Sequence, residues 1–504
     1  MPSERHEIDW VTFIIALGIV LMVAALLVIF PAAGSQAIDS LFSFLTKRLG
    51  WLYIACALGG LLILLGLALS PFRKIRFGDA DQAPHYSTFS WAGMLFSTGI
   101  GTALLYWGTI EWIEYYLAPP LGLEPKSPEA LQWSMSYGMF HWGILGWVFY
   151  AVPTVCLCYS YHVAKRPSPS IAESCAPLLH GYVHRWPGRL INALFMIGLV
   201  GTASTGLGLT TPLITEAFGS LFGIESSFGL TLAAIALVVF LIAMSVSLGL
   251  DQGIKRLSNV NLVLMFLLLG LIFLFGAPGP IARQGVDSVG FMLANFPQMS
   301  GIFYPGTNKE FVESWTVFYW AWWLAFGPFV GMFICKISGG RTLGQVIWGV
   351  LGFGTLGCTL CFVVFGGYAS YLEHEVGTEL VSTFSENKHA VIIQMLITLP
   401  MGKWILPLFL LLCVTFAATT YDSAAYTLAA SATRRLPVDR DPACWHRVVW
   451  AIALGVLPLT LLSLNHQTKV LVALQTASIV VSVPMMIVVL MMLISLGLEF
   501  KNRR

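Results

Sequence analysis

The chemistry most visible in this chain is that of the tryptophan ring face. Between Trp315 and Arg341 (WTVFYWAWWLAFGPFVGMFICKISGGR) the first nine residues hold Trp315, Phe318, Tyr319, Trp320, Trp322 and Trp323, and the run closes on Lys336 and Arg341. Aromatic faces attract a cation through the ring quadrupole, and a quaternary ammonium, which has no N–H to donate, is held best by several such faces together. The same rings also suit an interfacial belt or packing against neighbouring helices. A second cluster is His141-Trp142 with Trp147 and Tyr150. On a continuous helix at roughly 100° per residue, Trp142 and Tyr150 stand about 80° apart and Trp147 about 60° from Tyr150, so two or three rings can share one cavity or one packing face.

Two further stretches carry oxygen and little bulk. Phe416-Ala417-Ala418-Thr419-Thr420-Tyr421-Asp422-Ser423 offers hydroxyls and a carboxylate inside an apolar segment. A hard cation such as sodium takes oxygen ligands of this kind; the same hydroxyls can instead bond back onto helix carbonyls. Phe96-Ser97-Thr98-Gly99-Ile100-Gly101-Thr102-Ala103 is a run of small residues, suited either to close helix packing or to an unwound helix centre that presents carbonyls to a ligand. Glu111 and Glu114 follow, beside Trp107, Trp112 and Tyr115. Acids within a span are costly and usually functional, unless they sit near enough to the outer surface to be hydrated.

The elements that must position these groups are transmembrane helices. Of 504 residues 57% are hydrophobic and 10% charged, against roughly 25% charged in soluble domains. A net charge of +2 without a basic stripe argues against nucleic acid as a partner. The nine cysteines show no pairing or ligand spacing, and Cys358-x-x-Cys361 lies in an apolar run, so no disulfide, metal centre or other cofactor is expected beyond a coupling ion. The polar start MPSERHEIDW runs straight into an apolar segment without a small-residue cleavage site, which reads as a first span and not a removed signal.

Apolar runs of spanning length predict twelve helices at about 10–31, 51–71, 90–117, 134–162, 189–217, 228–250, 257–278, 314–336, 343–371, 404–432, 446–465 and 470–497. Several exceed the bilayer thickness and call for tilt or a break, which Gly99-Ile100-Gly101 and Gly327-Pro328 could supply. Twelve spans put both termini on one side, and most of the 27 Lys and Arg fall there, which makes that side cytoplasmic. Asp287 to Met299 and Lys388 to Pro400 are too short to cross and are expected to lie along the outer surface. The tail after about Leu498 is a few residues, so no regulatory extension, and hence no activation by osmolality, is expected.

The strings WTVFYWAWW, HWGILGWVFY, SLGLDQGIKRLSN and KISGGRT, with PPLGLEP at 119–125, resemble the betaine/carnitine/choline transporter (BCCT) family over nearly the whole chain. The resemblance implies an all-α polytopic membrane protein with a LeuT-type 5+5 inverted repeat. A single transporter domain would fill 1–504, with two peripheral helices at about 10–71, one repeat at about 90–278, a second at about 314–497, and assembly as a homotrimer. It implies a substrate cage of Trp142, Trp147, Tyr150, Trp322 and Trp323, with Trp320 and Phe326 along the pathway, and Glu111 and Glu114 as further substrate-side candidates.

In the sodium-dependent members of the family an ion site lies between the span 3 break and a Phe-x-x-Thr-Ser/Thr motif, matched here by Phe416, Thr419 and Thr420 facing Ser97 and Ile100. The sodium-independent carnitine exchanger has an arginine where this chain has Asn261. A second sodium site would use Thr202 and Phe329, but Gly198 replaces an expected threonine.

Gly101 stands where proton-coupled choline members carry aspartate. YWGTIE, PPLGLEP and LTTPLITE lie nearer the carnitine exchanger, which has a cage tyrosine at the position of Glu114. A carboxylate there would attract the ammonium or select an N–H-bearing amine, or else hydrogen-bond in the outer vestibule. The expected function is secondary import of a zwitterionic quaternary ammonium compound, L-carnitine-like or glycine betaine, by sodium symport across the cytoplasmic (inner) membrane. The alternatives are a sodium-independent carnitine/γ-butyrobetaine exchanger, or choline uptake. An enzyme would need a nucleophile, metal or paired-acid constellation that is absent from the sequence, and a channel would need a continuous polar pore.

Overall fold

In hydrocarbon every backbone N–H and C=O must be satisfied within the protein, which for long apolar runs means helices. The computed structural model describes residues 7–502 except 80, 98–100, 226, 248–250, 302–307, 435, 437–440 and 464–466. At 27, 31, 35, 38, 96–97, 245–247, 251–258, 457, 461–463 and 467–479 the description is of backbone alone.

The longer helices are α1 (Trp10–Ile29), α2 (Pro31–Leu69), α3 (Thr88–Ser97), α4 (Gly101–Leu117), α5 (Pro128–His141), α6 (Ile144–Cys158), α7 (Trp186–Phe222) and α8 (Phe228–Ser247). They continue with α9 (Asp251–Phe275), α10 (Pro278–Ala294), α11 (Val317–Ile337), α12 (Leu343–Cys361), α13 (Lys388–Ile397), α14 (Gly402–Ser431), α15 (Cys444–Ser463) and α16 (Gln467–Asn502). Local signals set several starts. Ser127 accepts from the Ala130 N–H ahead of Pro128 and Glu129 in α5, and Thr342 with Gln345 closes a capping box on α12.

Among the described residues seven stretches are long and apolar enough to cross a membrane, or eight if the bent pair Asn259–Phe275 and Pro278–Ala294 is one span. Trp10–Leu26, Phe228–Met244, Lys388–Ile397 and Cys444–Thr460 are shorter apolar helices. The chain is thus an all-helical, multi-pass membrane protein. The segment expected on the outer surface at Asp287 to Met299 falls mostly in α10, which turns 109° away from α9. The one expected at Lys388 to Pro400 contains α13.

Two breaks differ from expectation. Gly327-Pro328 interrupts nothing, because α11 runs unbroken through Pro328. Gly327 serves close approach instead: a Cβ there would lie 2.3 Å from the Phe149 carbonyl oxygen, so only glycine lets α11 lie so tightly along α6. Conversely, the span taken as continuous through 134–162 breaks after His141. Trp142 leaves the helix at φ −95, ψ 2, and Gly143 is extended at φ −86, ψ −154. A Cβ on Gly143 would meet the Met139 carbonyl at 2.5 Å. Trp142, in the break, and Tyr150, on α6, therefore do not share one continuous helix, and their separation cannot be read from a 100° increment. The Gly99-Ile100-Gly101 break falls on residues of which 99 and 100 lie outside those described; α3 ends at Ser97 and α4 begins at Gly101.

Candidate functional site

Four helices, α4, α7, α11 and α14, enclose a recess of about 440 Å3 counted out to its mouth. One wall is small: Gly101 and Ala103 of α4 face Ala203 and Gly206 of α7. The other is aromatic, from Trp322, Trp323 and Phe326 of α11 with Tyr421 of α14. Thr102, Thr202 and Thr420 add hydroxyls to the lining. A cation entering here meets aromatic rings and hydroxyl oxygens, with no lysine or arginine among the described residues of the lining.

The aromatic wall is layered. Trp322 and Trp323 stack at 5.2 Å and 7°. Behind them Trp142 meets Trp323 edge-on at 4.7 Å, and Tyr150 does so at 5.7 Å. Trp147 lies one ring further out, 5.3 Å from Tyr150, and its Nε1 donates to Cys358 Sγ at 3.4 Å. The five cage candidates thus form one contiguous aromatic body, of which Trp322 and Trp323 line the recess. Trp320 does not join it: it packs on Phe140, His141 and Phe149 of the neighbouring helices. Phe326 lines the recess and rests on Phe329 at 4.9 Å.

The ion-site candidates divide differently. Thr419 donates to the carbonyls of Thr415 and Phe416 at 3.0 and 3.1 Å, the back-bonding expected of a helix hydroxyl. Its oxygen also accepts from Asn261 Nδ2 at 3.3 Å, and Asn261 Oδ1 is buried without a partner among the described residues. Thr420 and Phe416 stand against the start of α4: a Cβ on Gly101 would be 3.3 Å from Thr420 Oγ1 and 3.6 Å from Phe416 Cδ1. The Ser97 side chain and the whole of Ile100 lie outside the described residues. Thr202 donates back to the Gly198 carbonyl at 2.8 Å. Asp422 pairs with Arg447 at 3.5 Å, both side chains almost wholly buried.

The two acids separate completely. Glu111 is fully buried, and it faces a polar cluster instead of the recess. Its Oε1 accepts from the Tyr115 hydroxyl at 2.6 Å, and its Oε2 accepts from the Tyr319 hydroxyl at 2.7 Å and from Trp142 Nε1 at 3.0 Å. His141 Nδ1 lies 2.9 Å from the Tyr115 oxygen and Nε2 3.0 Å from Thr316 Oγ1. Because the Tyr115 proton is committed to Glu111, Nδ1 carries the proton that bonds Tyr115, and a neutral imidazole then accepts at Nε2 from Thr316. His141, to which sequence reasoning gave no role, is therefore part of this cluster; only the i, i+4 spacing of Glu111 and Tyr115 hinted at it. Glu114 is held elsewhere, paired with Lys388 at the start of α13, while Asn387 donates to Glu216 near the C-terminal end of α7. The carboxylate is thus part of how α13 is tied down and does not line the recess.

Comparison with known proteins gives one consistent result. The model described as the betaine/carnitine/choline family transporter matches residues 11–504. A carnitine transporter of Acinetobacter baumannii is 34% identical over 426 residues, covering 84% of this chain and 76% of that protein. The glycine betaine transporter OpuD of Bacillus subtilis is 32% identical over 508 residues, covering 100% and 96%. An ectoine/hydroxyectoine transporter of Virgibacillus pantothenticus is 31% identical over 458 residues, covering 91% and 89%.

Proposed function

Because the chain belongs to the betaine/carnitine/choline transporter family, a family of transporters and not of enzymes, we propose that it imports a zwitterionic quaternary ammonium compound, L-carnitine-like or glycine betaine, by sodium symport across the cytoplasmic membrane. The observation that carries this reading is the recess faced by the stacked Trp322–Trp323 pair and backed by Trp142 and Tyr150. Each desolvated Trp–ammonium contact contributes roughly 1–2 kcal/mol, and several together support micromolar-to-millimolar affinity. Carnitine and glycine betaine, named for two of the relatives, are zwitterionic quaternary ammonium compounds; the ectoines named for the third are zwitterions whose amidinium carries N–H groups.

Sodium is taken as a co-substrate. The oxygens of Thr419 and Thr420, with the unpartnered Oδ1 of Asn261 beside them, suit a hard cation, and an amide at 261 carries no charge to replace the ion. Transport would alternate the two repeats around a mid-membrane site, within twelve spans, with cytoplasmic termini and a homotrimeric assembly as the resemblance implies. The pair α3–α4, the bent pair α9–α10 and the shorter α1, α8 and α15 supply candidates for the spans beyond the seven long ones.

The test is uptake of labelled L-carnitine, glycine betaine and choline into proteoliposomes, with and without a sodium gradient and with and without preloaded substrate. Sodium-driven uptake into empty vesicles supports symport. Uptake that ignores sodium and requires preloading would replace it with an exchanger, and flux that never saturates would point to a channel.

A further inference from the structure

Glu111 is the most deeply buried acid near the recess, yet it touches no part of the lining, which raises the question of what a carboxylate does there. Both cage indoles that meet edge-on hang from it and its neighbour. Trp142 donates its Nε1 proton to Glu111 Oε2 at 3.0 Å, and Trp323 donates its Nε1 proton to the backbone carbonyl of His141 at 3.0 Å. The side chain of His141 is in turn 3.6 Å from Glu111 and joined to it through Tyr115. Trp142 stands at the break after α5, and there its indole is held by the Glu111 bond together with its packing on Tyr319, Trp322 and Trp323.

We propose that Glu111 and His141 are positioning residues that set the planes of Trp142 and Trp323 and so tune the cage for a cation; the inference rests on the cage reading above. A hydrogen bond to an ionised carboxylate is among the stronger kinds, and within a buried chain of donors each bond polarises the next. The Thr316–His141–Tyr115 chain strengthens in this way the bond that holds Glu111 Oε1, and so fixes the carboxylate whose Oε2 receives the Trp142 N–H. Drawing the indole proton toward an anion enriches the ring in electron density, which strengthens the attraction of its face for an ammonium. The ligand class this favours is a full cation without N–H groups, since the pair directs both indole donors away from the substrate.

The experiment is a double-mutant cycle on purified full-length protein, read as the dissociation constant of glycine betaine and of L-carnitine by tryptophan fluorescence. Glu111→Gln, which keeps the shape and removes the charge, should raise the constant about ten-fold, the loss expected for a hydrogen bond to a charged group. In a Trp142→Phe background, which retains a ring but no N–H, the same change should add less than about two-fold. An equal effect in both backgrounds would overturn the proposal, as would no effect in the wild type. If Glu111→Gln does not fold, Glu111→Asp enters the same cycle. Independently of any Glu111 variant, the Trp142 indole N–H resonance, assigned by its loss in Trp142→Phe, should lie downfield and exchange slowly with deuterium; exchange at the rate of a free indole would refute the tether. Wild-type binding in both Trp142→Ala and Trp323→Ala would instead defeat the cage reading itself, whereas lost binding there with an inert Glu111→Gln would defeat only this inference.

Discussion

Substituting Gly327 by alanine tests the geometry that holds the aromatic wall in place. The added Cβ would sit 2.3 Å from the Phe149 carbonyl oxygen, where ordinary contact needs about 3.3 Å, so α11 and α6 must part by roughly 1 Å, a strain of about 1–3 kcal/mol in a packed interior. Alanine's better helix propensity returns about 1 kcal/mol, leaving a net destabilisation of about 0–2 kcal/mol. Trp323 lies one turn away on the same helix, so the shift also separates it from Trp142 and Tyr150, now at 4.7 and 5.7 Å. Displacements of about 1 Å at a binding site can cost up to about a hundred-fold, and a rise of at least about ten-fold in substrate dissociation constant is expected. Gly352→Ala is the control, because a Cβ there meets nothing within 4 Å. Thermal challenge followed by size-exclusion chromatography, together with a fluorescence titration, reads both effects. Should Gly327→Ala melt and bind indistinguishably from Gly352→Ala, the argument that glycine is needed for the α6–α11 approach is wrong.

Three further outcomes are expected. Trp323→Ala should abolish measurable binding, since it removes the ring that joins the recess to the second aromatic layer; near-normal uptake would take Trp323 out of the site. Thr420→Ala should raise the sodium concentration for half-maximal uptake, and an unchanged sodium response would place the ion away from the Gly101–Thr420 contact. On α13, burial, aided by Lys388 and opposed by a hydrogen bond to the Leu209 backbone, pushes the His389 imidazole down to about 4. Its neutral form is therefore favoured in the folded state. The stability it contributes is full above the ordinary value near 6.5 and is lost as pH falls toward 4. Protease protection of the α13 region should weaken over that window in the wild type and stay flat in His389→Gln; equal acid sensitivity in both would exclude His389 as the cause.

Much was legible without coordinates. The density of apolar runs dictates helices because lipid leaves the backbone no other partner, and the tryptophan-rich run at 315–323 announces aromatic chemistry by composition alone. The identity of the oxygen-bearing stretch at 416–423 could likewise be read, since residue type is enough to say which atoms can face a hard cation.

What tertiary structure decided is which of these groups meet. Trp320 and Trp322 are two residues apart, yet one packs on α5 and α6 and the other faces the recess, because a helix turns roughly 200° over that interval and only the packing partners say which side is the site. Gly143 and Gly327 look alike in sequence; the first sits in a helix break against the Met139 carbonyl of its own preceding turn, and the second lets two helices touch at the Phe149 carbonyl, which arrives from elsewhere in the fold. Glu111 and Glu114 are separated by less than one turn, but Glu111 is enclosed by Tyr115, Trp142 and Tyr319 and Glu114 is claimed by Lys388, 274 residues away. A carboxylate's role follows from the donors around it, and those donors are brought together by contacts that sequence spacing does not encode.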